Sequence, residues 1–202
     1  VLAAALVAAD AAPLAAASSS RAVCDPIIAR IEQSSGLPAG LLRAMAHVES
    51  GRILPGGSRR VAWAWAANIG GRAHYFATKS EAVDRIETAL RAGQAVDAGC
   101  LQINLSRWHR VGHGEAFEDV ASALTPEVNV TYAANLLKTL HARHGNWTNA
   151  VGYYNASSYS ARLAYVCRVA VAQSRIVGTP VPSECPDERP NPPMPKVKRP
   201  PV

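Results

Sequence analysis

A chain of 202 residues, 49% of them hydrophobic, carries enough apolar side chain for one domain with its own core and some unstructured flank. Aromatic residues are few, and no apolar run beyond the first 20 residues is long enough to cross a bilayer. The net charge of +6 favours anionic partners, but no zinc spacing, phosphate-binding glycine loop or aromatic-basic interleaving accompanies it. Nucleic acid is therefore not expected as a partner, and part of the excess charge sits in the tail at Lys196, Lys198 and Arg199.

Residues 1–17 (VLAAALVAADAAPLAAA) are small and apolar, and Ala15-Ala16-Ala17 resembles a signal-peptidase site. Residues 1–20 are read as a signal peptide or leader, although Asp10 interrupts the run and a basic n-region is missing. Four cysteines, Cys24, Cys100, Cys167 and Cys185, form no C-x-x-C pair and fit two disulfides in an oxidising compartment. Four cysteines allow three pairings, and the spacing alone leaves all three open.

Asp25-Pro26 opens a short helix with Ile27, Ile28 and Ile31 on one face, and Gly36 ends it. Pro38 stands at a first-turn position for a second helix, striped by Leu41, Leu42, Met45 and Val48 and ended by Gly51. Alternation around Trp63 and Trp65 predicts a strand over 61–67, a turn over 68–71 and a return strand over 73–76. Thr78 and Glu81 form a capping box for a helix with Ala82, Val83, Ile86, Ala89 and Leu90 inward, stopped by Gly93. Residues 97–108 read as irregular. Three helical patterns follow: a short one over 117–124, one from Pro126 through Leu140, and a long one over 148–176 broken near Ser157-Ser158. From residue 179 proline is too frequent for packed secondary structure, so 179–202 reads as a tail beyond a domain at 21–178.

Three short segments carry the chemistry. In His47-Val48-Glu49-Ser50-Gly51, Glu49 lies four residues after Met45 and eight after Leu41, on the apolar helix face. A carboxyl there loses hydration, which raises its pKa and lets it donate a proton near neutrality. Taken alone, a helix-end glutamate is more often solvated or paired, here with Arg52. Gly99-Cys100-Leu101-Gln102-Ile103-Asn104 offers close backbone approach and amides suited to sugar hydroxyls and N-acetyl groups. Gly152-Tyr153-Tyr154-Asn155-Ala156-Ser157 sets a phenol beside an amide at a helix end. Trp63, Trp65, Tyr75 and Trp108 could stack on sugars, with core packing the commoner role. His109 and His113 lack a third spaced metal ligand.

In this order and spacing, ESG, GCLQIN and YYNAS resemble the E-S, G-L-M-Q and A-Y-N pattern of the soluble lytic transglycosylase family of the lysozyme superfamily. The resemblance covers roughly residues 24–176, and the segment AWAWAANIGGRAHYFATKSEAV resembles a periplasmic subgroup. It departs from the pattern at Leu101, where methionine is usual, at Cys100, and at Gly152 and Ser157 flanking Tyr-Asn.

The resemblance implies a mainly α, goose-type lysozyme-like domain with a small β-hairpin flanking the cleft. Glu49 would be the single acid/base, with Ser50, Gln102, Asn104, Tyr154 and Asn155 toward substrate. Cleavage of the MurNAc-GlcNAc β-1,4 bond would leave 1,6-anhydromuramyl ends, without metal or cofactor. The implied partner is the peptidoglycan glycan strand, and the implied protein is a periplasmic or secreted monomer serving wall turnover or a secretion, pilus or flagellar assembly. Two alternatives stand beside it: a hydrolytic muramidase using Asp97 as a second carboxylate, and a non-catalytic peptidoglycan-binding component of a secretion apparatus. For the cysteines, the subgroup implies Cys24–Cys100, which leaves the local pair Cys167–Cys185.

Overall fold

A computed structural model describes residues 23–106, 117–155 and 158–185. The leader, Trp108, His109, His113 and the tail beyond Cys185 lie outside these residues. Among the described residues the chain is mainly helical, with two small antiparallel sheets. Its helices are α1 (Asp25–Ser35), α2 (Leu41–Glu49), α3 (Lys79–Arg91), α4 (Val120–Ala123), α5 (Pro126–His144), α6 (Trp147–Asn155) and α7 (Tyr159–Val177). None of them is long and apolar enough to cross a membrane.

Helix α2 sits against α7, with Leu41, Leu42, Ala44, Met45 and Ala46 all buried. Fully burying Leu42 or Met45 contributes roughly 2 kcal/mol each. The start of α2 is not set by Pro38, which lies ahead of the helix. Gly40 precedes the first turn at φ 73°, and a Cβ there would stand 2.9 Å from Val177 Cγ1. The open N–H groups of that turn are satisfied from another helix: Glu32 of α1 accepts from Gly40 at 2.8 Å and from Leu42 at 2.7 Å. A carboxylate at that end is also favoured by the helix dipole.

The first sheet pairs β1 (Gly51–Ile53) with β2 (Arg60–Ala62), so the chain leaves α2 directly into a strand. The second runs β4-β3-β5-β6, with β3 (Ala66–Ile69), β4 (Arg72–Tyr75), β5 (Val96–Ala98) and β6 (Ile103–Asn104). Three expectations are corrected here. Residues 61–67 do not form one strand: the chain changes sheets across Trp63-Ala64-Trp65, with both indoles buried and Trp63 Nε1 donating to the Phe76 carbonyl at 3.0 Å. The hairpin turn is the Gly70-Gly71 pair, both at positive φ, rather than 68–71. Residues 97–108 also begin in strand, because Val96, Asp97 and Ala98 pair with Ile69, Asn68 and Ala67, a partner remote in sequence. The predicted hairpin is thus part of a four-stranded sheet.

The helix boundaries follow their punctuation. Thr78 caps α3 by accepting from Glu81 N at 3.2 Å, and Gly145 and Gly178 close α5 and α7 in the left-handed region. The long pattern over 148–176 does split, into α6 and α7. Two disulfides fasten the result. Cys24–Cys100 joins the entrance of α1 to the loop before β6, across 76 residues, and Cys167–Cys185 ties the segment after α7 back onto that helix.

Candidate active site

Glu49 ends α2 and is half-buried, with part of its surface still open. Three elements converge on its carboxyl. From α7, Tyr165 donates its hydroxyl to Glu49 Oε1 at 2.5 Å, and from the end of α6 the exposed Asn155 adds a side-chain hydrogen bond. From β5, Asp97 adds its negative charge. Burial is the largest influence and pushes the Glu49 carboxyl up to about 7. Asp97 pushes the same way, while the Tyr165 and Asn155 bonds and the positive charge of Arg168 pull it down. A group poised there holds its proton in much of the population at neutral pH and can also accept one.

Tyr165 is fully buried, and burial with the nearby Glu49 charge holds its phenol well above the usual range. It therefore stays a neutral donor. Its place was not anticipated from sequence, yet a signal existed. Tyr165 shares the inward stripe of α7 with Val169, and a buried phenol needs a hydrogen-bond partner.

The Gly99-to-Asn104 segment buries Cys100, Leu101 and Ile103, and polar bonds to its backbone set its shape. Asn129, fully buried on α5, accepts from Leu101 N at 2.9 Å and donates to the carbonyls of Ala98 at 3.1 Å and Ala123 at 3.0 Å. Gly99 is required here: at φ 85°, a Cβ would lie 2.2 Å from Asn129 Nδ2. Tyr154 donates to the Leu101 carbonyl at 2.8 Å, so its hydroxyl is committed to positioning this loop. Gln102 stands at φ 48°, the one described non-glycine residue at positive φ. Its Nε2 donates to the Ala66 and Gly99 carbonyls, at 3.1 and 3.0 Å, which fixes the orientation of the amide. These two bonds offset the cost of the left-handed conformation, of order 1 kcal/mol for a non-glycine residue.

Asn104 is exposed on β6 and donates to Asp97 Oδ1 at 2.6 Å across the strand pair. Burial raises the pKa of Asp97 and this bond opposes the rise. Ser50 is different from the expectation of a substrate contact. It is fully buried, and its hydroxyl donates to the Cys100 carbonyl at 2.7 Å while accepting from Trp63 N at 3.2 Å. It pins the end of α2 to the loop and to the sheet crossover, and does not face outward. Trp63 and Trp65 are core residues, and Tyr75 is exposed with Arg52 over its ring.

Glu49, Tyr154 and Asn155 thus share one electrostatic neighbourhood, which also contains Asp97 and Tyr165. Gln102 and Asn104 reach it through Leu101 and Asp97 respectively. Among the described residues, no group of three or more His, Cys, Asp or Glu is placed to hold a metal ion. The arrangement can perform general acid and base chemistry at one carboxyl, with neutral hydrogen-bonding groups around it. Compared with protein-family models, with curated proteins and with solved structures, the chain gives no significant match in any of the three.

Proposed function

We propose that this chain is an exported lytic transglycosylase with a lysozyme-like fold, acting on the glycan strands of peptidoglycan in the periplasm or outside the cell. The observation that carries the reading is Glu49: a carboxyl at a helix end, raised to about 7 by burial, with a neutral phenol donating to it. Two disulfides suit an oxidising compartment. In the proposed reaction, protonated Glu49 gives its proton to the oxygen bridging N-acetylmuramic acid and N-acetylglucosamine. The C1–O bond breaks, and positive charge develops at the anomeric carbon. The sugar's own 6-hydroxyl then attacks that carbon and yields its proton to the Glu49 carboxylate. The acid is regenerated, no water is consumed, and the new end is a 1,6-anhydro ring. Intramolecular attack gains from effective concentration. Tyr165 holds the carboxyl in place through both proton transfers, and Tyr154 and Asn129 hold the substrate loop.

A hydrolytic reading has one specific support: the Asp97 carboxylate is close enough for its charge to raise Glu49. Inverting glycosidases place a second carboxylate to activate water. Digesting purified sacculi and identifying the ends by mass spectrometry separates the two. Anhydromuramyl ends without a reducing terminus are the expected product. Reducing ends that incorporate oxygen from labelled water would overturn the transglycosylase reading in favour of hydrolysis.

A further inference from the structure

Strand β5 alternates, with Val96 and Ala98 fully buried, so Asp97 between them turns to the opposite face and is half-buried. Its Cα partner on β6 is Asn104, whose Nδ2 donates to Asp97 Oδ1 at 2.6 Å and holds the carboxylate in place. Among the described residues, no lysine, arginine or histidine forms an ion pair with Asp97. Its charge acts instead on Glu49 and on the Tyr154 phenol, two groups whose own ionisation it opposes. The backbone enforces this closeness: Ser50, next after Glu49, donates its hydroxyl to the carbonyl of Cys100, three residues past Asp97, at 2.7 Å. A half-buried carboxylate beside a second carboxyl, without a cation to offset it, is a costly arrangement. A positive charge developing next to it would remove that cost.

The two carboxyls differ because their surroundings differ. Burial holds the Glu49 proton up to about 7. Burial also raises Asp97, but from the lower ordinary value of an aspartate, and the Asn104 bond opposes the rise. Asp97 therefore ionises first and is charged while Glu49 is still the acid. Neighbouring carboxyls set apart in this way divide the roles of proton donor and fixed charge. No other group facing Glu49 takes the second role: Tyr154 and Tyr165 stay neutral, Asn155 is an amide, and Arg168 is a cation.

We infer that Asp97 is a second catalytic residue, whose fixed carboxylate faces the anomeric carbon and stabilises the positive charge that develops there. The inference rests on the peptidoglycan reading above and names the group that the developing cation meets. As the C1–O bond breaks, its electron pair leaves with the bridging oxygen, which takes the Glu49 proton, and the carbon left positive lies against Asp97. The 6-hydroxyl then attacks C1 and gives its proton to Glu49, the more basic of the two carboxylates. Asp97 gains and loses no proton, so it serves as a charge and not as the base that would activate water. A charge fixed by Asn104 before the reaction needs no reorganisation when the cation appears.

The test compares two ligands: a short N-acetylated glycan ending in an iminosugar, with a protonated nitrogen in place of the anomeric carbon, and the neutral glycan of the same length. Binding is read by calorimetry near neutral pH for the unaltered chain, Asp97→Asn and Glu49→Gln, with the fold of each checked by thermal unfolding. The unaltered chain should bind the cation about tenfold more tightly than the neutral glycan. Asp97→Asn should lose most of that preference while holding the neutral glycan within about twofold, and Glu49→Gln should keep it. Asn104→Ala, at an exposed residue, frees the carboxylate and should cut the preference about threefold, which keeps the test available if Asp97→Asn does not fold. Equal binding of the two ligands by the unaltered chain overturns the inference without any variant. So does a preference that survives loss of Asp97 or Asn104 and disappears with Glu49. On glycan strands, Asp97→Asn should lower kcat about 10²-fold with KM within about twofold, as expected for an interaction made only in the transition state; an unaltered kcat counts against it. Products are identified separately on the unaltered chain. Reducing ends, or no product at all, from a chain that keeps the Asp97-dependent preference would refute the transglycosylase reading and leave Asp97 beside the anomeric carbon.

Discussion

The two walls around Glu49 are built on opposite principles. On the helical side, α2 and α7 meet through apolar stripes, and Glu49 and Tyr165 are brought together as a by-product of packing Leu42, Met45 and Val169. On the other side, the loop from Gly99 to Asn104 is held by hydrogen bonds from Ser50, Asn129 and Tyr154, and by a disulfide through Cys100. Packing is non-directional and tolerates small shifts in shape. Directional bonds to backbone atoms fix a loop more sharply, but fail sharply when one partner is lost. The helical wall should therefore govern the chemistry of the proton, and the loop wall the placement of substrate.

The strongest way to break this division is Glu49→Gln. Turnover should fall by about 10³ while the fold persists, as measured by product release and thermal unfolding. The same variant probes the energetic cost of the site. Unfolded glutamate releases its proton near its ordinary value of 4.5, whereas folded Glu49 keeps it to about 7. Between those values the folded state binds more protons than the unfolded one, so native stability declines as pH rises through that window and levels off above it. The cumulative loss is about 3 kcal/mol at most. The glutamine variant lacks it, so it should match the parent at pH 4 and exceed it at pH 8. Activity of the parent should fall as pH rises past about 7, because the proton donor is lost. A variant that clears sacculi at near-parental rate would end the assignment of Glu49.

Asn129→Ala attacks the loop wall without touching Glu49. Three hydrogen bonds disappear and buried backbone groups at Ala98, Leu101 and Ala123 lose their partner, which should cost about 3 kcal/mol. The pH at which activity declines should stay where it is, while KM rises. A change in the pH profile with an unaltered KM would show that the loop, rather than the helices, sets the proton affinity.

The smallest effect is expected from Tyr165→Phe. Losing one buried hydroxyl should cost about 1 kcal/mol of stability. That hydroxyl favours the charged form of Glu49, so its removal raises the Glu49 pKa further and moves the alkaline fall in activity to higher pH. KM should be little affected. A pH profile that does not move would show that Tyr165 only fills space.

How far the sequence reaches differs between the same two walls. The helices, their glycine stops and the inward position of Glu49 follow from a 3.6-residue period written locally, where each residue's neighbours are three or four positions away. The family resemblance added the grouping of Glu49 with Gln102, Tyr154 and Asn155, and the pairing Cys24–Cys100, which spacing alone left open. Pro38 misled because a carboxylate from α1, not the local proline, organises the start of α2.

What only the tertiary structure decided are the contacts between distant segments. Strand β5 finds its partner some thirty residues back, which made 97–108 look irregular in isolation. Ser50 became an internal tie rather than a substrate contact, since only the fold shows that the Cys100 carbonyl and Trp63 N–H surround its hydroxyl. A local pattern shows that Tyr165 faces inward, but not that its hydroxyl meets Glu49, 116 residues earlier. The physical reason is common to all of them. Periodicity reports which face of an element is buried, whereas hydrogen bonds and charge clusters depend on which buried faces meet.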